Sequence, residues 1–324
     1  MGPLDTGNGT ERVCADLNAE IARLEAPGYR IELIYPADEP HSAVMSKSGE
    51  RIRLTTQPGA AAPTDQLPDF EPEFRITRAG DEGGEGRAGM RYRDLIPGRL
   101  GGRYIASHIS IPGGGPVADW AHYHHVAFQL IMVRSGWVRV VYEDQGEPFV
   151  MVAGDMVVQP PGIRHRVLES SAMLEVIEIG LPALHATYAD HDIVLPTGRV
   201  DPNRDFGGQR FLRHVAADTP WTAFGGGEAA ETGVSAATEG IAEVRIARGN
   251  VDFPAHRGEM VFGFVLAGSA RLEYGGDHLL SPADAFVVPP VQPWRIICAS
   301  ADFRLLHVTT AIVTTAIVAS AHCA

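Results

Sequence analysis

Between residues 122 and 129 the chain reads HYHHVAFQ, three histidines in four positions with Gln129 close behind. On a β-strand successive side chains alternate between faces, so His122 and His124 point one way while Tyr123 and His125 point the other. Neutral imidazole is a good ligand for Fe, Mn, Ni, Cu and Zn, whereas Mg and Ca prefer oxygen donors. Two imidazoles on one strand face are therefore the beginning of a transition-metal site. The remaining ligands must be brought in by the fold.

The elements available to do this are strands. RYIASHISIP, AFQLIMVRSG, WVRVVYED, PFVMVAG, DMVVQPPG, HRVLES and MLEVIEIG all have strand length and are separated by Gly, Pro or Asp. Strands at this spacing without intervening helices predict a sandwich or barrel. The pattern then recurs. VRSGWVRVVYEDQGEPFVMVAGDMVVQPPGIRHRV aligns with VLAGSARLEYGGDHLLSPADAFVVPPVQPWRI once three residues are dropped from the first hairpin. Gly136 then falls on Gly268, Asp155 on Asp284 and Pro160-Pro161 on Pro289-Pro290. A duplicated all-β unit accounts for the 324 residues.

With the repeat in view, the downstream spacing gains meaning. Gly136 follows Gln129 after six residues, and Gly154 is followed by five residues, PPG, two residues and His165. This resembles the two conserved motifs of the cupin superfamily, G-x5-H-x-H-x3–4-E-x6-G and G-x5-P-x-G-x2-H. The resemblance spans residues 100–180 and 240–310. It implies an all-β bicupin of tandem jelly-roll (double-stranded β-helix) barrels, with one divalent transition metal held inside a barrel by His122, His124, Gln129 and His165. Fe(II) is the favoured ion, and Mn, Ni, Zn or Cu also suit imidazole. Three or four protein ligands on an octahedral ion leave two or three positions open, which marks a catalytic site.

The departure from the family pattern is Gln129, where most metallated cupins have Glu. An amide oxygen can coordinate but brings no charge, so the ion keeps its full charge and favours an anionic chelating substrate. Gln129 is read as a ligand or, alternatively, as a hydrogen-bonding neighbour of the ligands. His125 is expected outside the barrel, unless a bulge brings it in for His124. In the second unit His124 falls on His256, but His122 falls on Pro254, Gln129 on Val261 and His165 on Trp294. One histidine cannot hold a metal, so the second barrel is expected to be a structural or dimerising copy, with His256 and Glu259 ordinary polar residues.

The expected layout is residues 1–90 as an N-terminal helix and strands packed on the barrels, 91–185 as the metal barrel, 186–240 as a linker and 241–324 as the degenerate barrel. The helix is expected within TERVCADLNAEIARLEAPG, with Val13, Leu17, Ile21 and Leu24 on one face, Thr10 as cap and Pro27-Gly28 as stop. YRIELIYP, SAVMS and RIRLTT read as strands, residues 79–90 as a Gly/Glu-rich loop, and FGGGEAAETGVSAATEG as linker. On RYIASHISI, Tyr104, Ala106, His108 and Ser110 share a face, and His108 is the candidate acid or base. Arg103, Arg139 and Arg164 are possible carboxylate clamps, with solvated roles as the plainer reading. Trp120 is expected near the pocket rim.

A net charge of −13 opposes binding to nucleic acid or anionic membranes. No basic segment followed by an apolar one suggests a secretory signal, and the most apolar stretch, VTTAIVTTAIVASA, is broken by threonines. Cys14, Cys298 and Cys323 fit neither a disulfide framework nor a zinc site, which suggests a cytoplasmic protein. The functional expectation is an Fe(II) dioxygenase, a homodimer taking O2 and a small anionic organic substrate. An O2-independent isomerase or lyase and a non-catalytic ligand-binding bicupin are the alternatives.

Overall fold

The computed structural model describes residues 10–60, 62–85 and 90–313. The tail beyond residue 313, with Cys323, lies outside the described residues. All seven strands expected in the first barrel form, at Ile105–Ile111, Phe128–Ser135, Trp137–Tyr142, Phe149–Val152, Met156–Val158, His165–Ser170 and Leu174–Leu181. They divide between two sheets. One runs Phe149–Val152, Trp137–Tyr142, His165–Ser170, His122–His124, Thr187–Ala189 and on into the N-terminal strands Arg30–Tyr35, Ser42–Lys47, Glu50–Thr55 and Thr10–Val13. The other runs Leu212–His214, Met156–Val158, Phe128–Ser135, Leu174–Leu181, Ile105–Ile111, Arg91–Asp94 and Gly84–Glu85. The second barrel repeats this plan, with Ala242–Arg248, Arg304–Thr310, Val261–Ala267 and Ala285–Val287 in one sheet and Val251–Phe253, Trp294–Ile297, Ala270–Glu273 and Asp277–Leu280 in the other.

Strand alternation explains the core. On Phe128–Ser135, Ile131 and Val133 join Val138, Tyr142, Val157 and Val176 inside the first barrel. Phe128, Leu130 and Met132, on the other face, pack with Ile177 and Ile179 against Val244, Phe262, Phe264, Leu306 and Val308 of the second barrel. A strand buried on both faces reads as one apolar run, which is why AFQLIMV shows little alternation.

The expected linker at 186–240 is built into both barrels. Thr187–Ala189 pairs with His122–His124, and Leu212–His214 pairs with Met156–Val158. Trp221–Phe224 and Gly227–Glu231 form a hairpin on the edge of the second barrel, pairing with Ala242–Arg248. The run FGGGE looks like a linker, yet Phe224 pairs with Gly227 across Gly225 and Gly226, both at positive φ (57° and 90°). Two left-handed residues make the tight hairpin turn whose twist suits the flanking strands. Conversely Arg75–Thr77, before the first barrel, pairs with Ala285–Val287 of the second. Each barrel thus receives its edge strand from the segment that leads into the other.

The N-terminal helix is shorter than expected. It spans Leu17–Glu25, with Asp16 rather than Thr10 as its cap, accepting from the Ala19 N–H at 3.0 Å. Thr10–Val13 is instead a parallel strand beside Glu50–Thr55. Leu17, Ile21 and Leu24 are buried as expected, while Val13 is 59% exposed because it has left the helical face. Within the expected 79–90 loop, Gly84–Glu85 pairs with Arg91 and Tyr92, and residues 86–89 lie outside the described residues. No helix among the described residues is long and apolar enough to cross a membrane. Cys14 and Cys298 are free thiols.

Candidate metal centre

His122 and His165 are direct partners across neighbouring antiparallel strands. Their ring centroids are 4.3 Å apart, and His124, two residues along from His122, brings its ring to 5.3 Å from each. One ligand atom from each of the three lies within 4.8 Å of the other two, and no carboxylate belongs to this group among the described residues. His122 and His165 are buried, at 4% and 5% exposure.

The rings are held from their outer side. His122 Nδ1 lies 2.8 Å from the Trp120 carbonyl, His165 Nδ1 3.1 Å from the Ile163 carbonyl and His124 Nδ1 3.1 Å from the Thr187 hydroxyl. A carbonyl can only accept, so Nδ1 of His122 and of His165 carries hydrogen and Nε2 is the nitrogen able to coordinate an ion. Tyr142 stacks on His165 at 5.3 Å, and its hydroxyl accepts from Gln159 Nε2 at 2.8 Å. Burial raises the Tyr142 pKa, keeping the phenol neutral.

Gln129 is 1% exposed and shares the inner face of its strand with Ile131 and Val133. Its Nε2 donates to Glu178 Oε1 at 2.7 Å, and its Oε1 is buried with no partner. Leaving such an acceptor unmet costs about 1–3 kcal/mol, so a native structure normally gives it a donor or a cation. Three converging imidazoles fit a divalent transition metal, and the unmet amide oxygen belongs to a side chain on the same barrel interior as Tyr142, the ring stacked on His165.

The other residues singled out in the sequence lie around the cluster or turned away from it. Tyr123 stacks on Tyr188 on the outer face, with Arg164 4.4 Å above its ring. His125 lies 3.2 Å from Asp65, outside the cluster. Trp120 packs edge-on against His122 at 5.3 Å. His108, the candidate acid or base, is turned away from the centre. The face it shares with Ala106 meets the second barrel, where His108 contacts Phe264 (5.9 Å between rings) and its Nε2 lies 3.1 Å from Glu175. Three arginines are already engaged, Arg103 with Glu259, Arg164 with Asp190 and Arg139 with Glu169.

Two residues absent from the sequence reading adjoin the site. One is Glu178. The other is His185, 2% exposed, with its ring 5.3 Å from that of His124. His185 Nδ1 faces the Pro182 carbonyl at 3.2 Å, its Nε2 has no partner, and burial holds its pKa below the usual imidazole value. Glu178 had a signal in the sequence: in MLEVIEIG it follows Val176 at the strand period of two and so falls on an apolar face. His185 had none, since it lies past the last barrel strand.

Residues 107–180 match the cupin domain family. A salicylate 1,2-dioxygenase mutant from Pseudoaminobacter salicylatoxidans, in complex with gentisate, superposes with a TM-score of 0.53 at 16% identity, covering 75% of this chain and 83% of that one. A protein from Pseudomonas aeruginosa described as glyoxylate-induced gives 0.52 at 15% identity, covering 81% and 97%. A mutant of oxalate decarboxylase from Bacillus subtilis gives 0.50 at 11% identity, covering 81% of each chain. In fold, the chain is a pair of cupin-like barrels. No curated protein matches it by sequence.

Among the described residues, the second barrel has no counterpart of the three-histidine cluster. Trp294 occupies the place of His165, and its strand partner is Phe253 where His165 has His122, one residue from the Pro254 expected there. The two rings stack at 3.8 Å and 4°, with His307 4.6 Å from Phe253. Aromatic rings fill the volume in which an ion would sit. Glu259 is a polar residue with a structural part: it is 5% exposed and takes both Arg103, at 2.6 Å, and the Tyr104 hydroxyl, at 2.6 Å.

Proposed function

We propose that the first barrel is the active site of a mononuclear metal-dependent enzyme, an Fe(II) dioxygenase that cleaves a C–C bond in a small organic anion able to chelate the ion. The observation that carries this reading is the convergence of His122, His124 and His165 without a carboxylate in the group. A shell of neutral ligands leaves the charge of the ion to be met by an anionic substrate. When bound, the metal supplies neighbouring positions for a chelating anion and for O2. Both oxygen atoms enter the product, so the reaction needs no outside reductant. His122, His124 and His165 hold the ion, and Gln129 Oε1 is the fourth donor. Tyr142 and Gln159 keep the His165 ring in place, and His185 offers a neutral lone pair beside His124.

Fold likeness to a dioxygenase that binds gentisate and to a decarboxylase named for oxalate supports small organic acids as the substrate class. Metal analysis of the purified protein followed by oxygen-electrode assays of the Fe(II)-loaded enzyme tests the reading, with gentisate, salicylate, glyoxylate and oxalate as probes. O2 uptake that depends on both Fe(II) and an organic acid is expected. His165→Ala should lower it by more than about 100-fold, because the loss of one of three imidazoles releases the ion. Full turnover under anaerobic conditions, or with Zn in place of Fe, would assign the site to an isomerase or lyase instead.

A further inference from the structure

We propose that Glu178 is the positioning residue of the metal centre: its carboxylate takes an amide hydrogen of Gln129, turns the Gln129 carbonyl oxygen out as a ligand, and polarises the amide so that this oxygen is a stronger donor. The proposal deepens the metal-enzyme reading above and rests on it. An ionised carboxylate can only accept hydrogen bonds, so the 2.7 Å contact from Gln129 Nε2 to Glu178 Oε1 settles which way the amide faces. The oxygen then lies on the side away from Glu178, and it is the atom buried without a partner.

Both residues sit on the inner face of the barrel. Gln129 stands opposite Gly180 and Glu178 opposite Ile131 on the adjacent strand, alternating with Ile177 and Ile179, which face the second barrel. Gly180 puts no side chain across from Gln129. A Cβ there would meet Ile105 Cγ2 at 3.2 Å and lie 4.0 Å from His185 Cε1, and the His185 ring is 5.3 Å from that of His124. His185 thus spans from the Gly180 position to the histidine cluster.

An amide held by a cation at oxygen and by an anion at its N–H is drawn toward its charge-separated resonance form, with negative charge on oxygen. Each contact strengthens the other. Toward the metal, Gln129 becomes a stronger oxygen donor while staying formally neutral, so the charge of the ion is still left to an anionic substrate. The second barrel agrees with this pairing: where the first has Gln129 and Glu178, the repeat has Val261 and His307, so both members are gone where the metal site is gone.

The test uses the full chain, stripped of metal and titrated anaerobically with Fe(II) and with Mn(II) against a chromophoric chelator, with circular dichroism confirming that each variant is folded. Glu178→Ala is expected to weaken metal binding by about 10- to 100-fold. Glu178→Gln, which can still present an acceptor to Gln129 but brings no charge, should weaken it by about tenfold. In a Gln129→Ala background, Glu178→Ala should cost less than about threefold, because the two act as a unit. The exchanged pair Gln129→Glu with Glu178→Gln should recover most of the wild-type affinity. Wild-type affinity in Glu178→Ala, or an equal loss with and without Gln129, overturns the proposal while leaving the three-histidine centre standing. Failure of the wild-type chain to bind either ion, with His165→Ala no different, overturns the enzyme reading and this proposal together.

Discussion

His307 occupies in the second barrel the register position that Glu178 holds in the first: each faces the residue two along from Gln129 or from its counterpart Val261, at Ile131 and Gly263. It is buried against Phe253 and Trp294, its Nδ1 has no partner, and burial, with repulsion from Arg245 and His256, pushes its pKa down to about 3. In the unfolded chain the same imidazole titrates near its ordinary ~6.5. Between those values the unfolded chain holds a proton that the folded chain refuses. The contribution to stability is therefore complete above ~6.5 and is lost as pH falls toward 3, at about 1.4 kcal/mol per unit. His307→Leu removes this dependence. Denaturant titrations of wild type and variant at pH 7 and pH 5 should show the difference between them shifting by about 2 kcal/mol in favour of the variant at the lower pH. A difference that stays constant would mean that His307 titrates normally in the fold. At this scale the histidine cluster was legible in the sequence, because the strand period of two and the spacing to His165 both constrain it. Glu178 was legible only as a charge on an apolar strand face, its role depending on whether that face turns inward, and His185 was not legible, because it depends on the path of the chain after Leu181.

Strands exchanged between the barrels depend on two aspartates that the repeat makes equivalent. Asp155, 3% exposed, accepts from the Ala216 N–H at 3.0 Å and the Val152 N–H at 3.1 Å, tying the Leu212–His214 strand to the first barrel. Asp284, equally buried, accepts from the Ala79 N–H at 2.9 Å, the Ser281 N–H at 3.0 Å and Arg78 at 2.8 Å, tying Arg75–Thr77 to the second. Asp284→Ala leaves two backbone donors without their acceptor and should cost about 2 kcal/mol. Hydrogen exchange should then quicken at residues 75–79 and 285–287 while the His122–His124 strand keeps its protection; uniform quickening across both barrels would refute this local role. The conserved look of Asp155 and Asp284 in the internal alignment was visible in the sequence, but their partners were not. Ala216 and Ala79 lie in segments of low apolar content, where the strands Arg75–Thr77 and Leu212–His214 are only three residues long and draw their order from the barrel edge they join. The same cause hid the hairpin at 221–231, whose Ala229 and Ala230 are buried by a close-packed sheet rather than by their own bulk.

The whole molecule is held as one body by the apolar layer between barrels and by a charge buried within it. Arg103, 6% exposed, meets Glu259 through two nitrogens at 2.8 and 2.6 Å and also donates to the Pro68 carbonyl at 2.7 Å and to the Val313 carbonyl. Tyr104 adds its hydroxyl to the same carboxylate and reaches Thr310 at 2.8 Å. Arg103 and Tyr104 lie just before the strand Ile105–Ile111 of the first barrel and Glu259 just before the strand Val261–Ala267 of the second, so the pair fixes the two relative to each other. A buried ion pair gains little over an apolar replacement, but removing one partner strands the other charge. Glu259→Ala should therefore cost about 3–5 kcal/mol, while Arg103→Met with Glu259→Leu should recover most of that loss. Because the exchanged strands and the shared core leave neither barrel complete alone, denaturation followed by tryptophan fluorescence, from Trp120 and Trp137 in one barrel and Trp221 and Trp294 in the other, should show a single transition that shifts as a whole in Glu259→Ala. Two transitions, with only one of them moved by the substitution, would show that the barrels unfold independently and that the Arg103–Glu259 pair serves one of them alone.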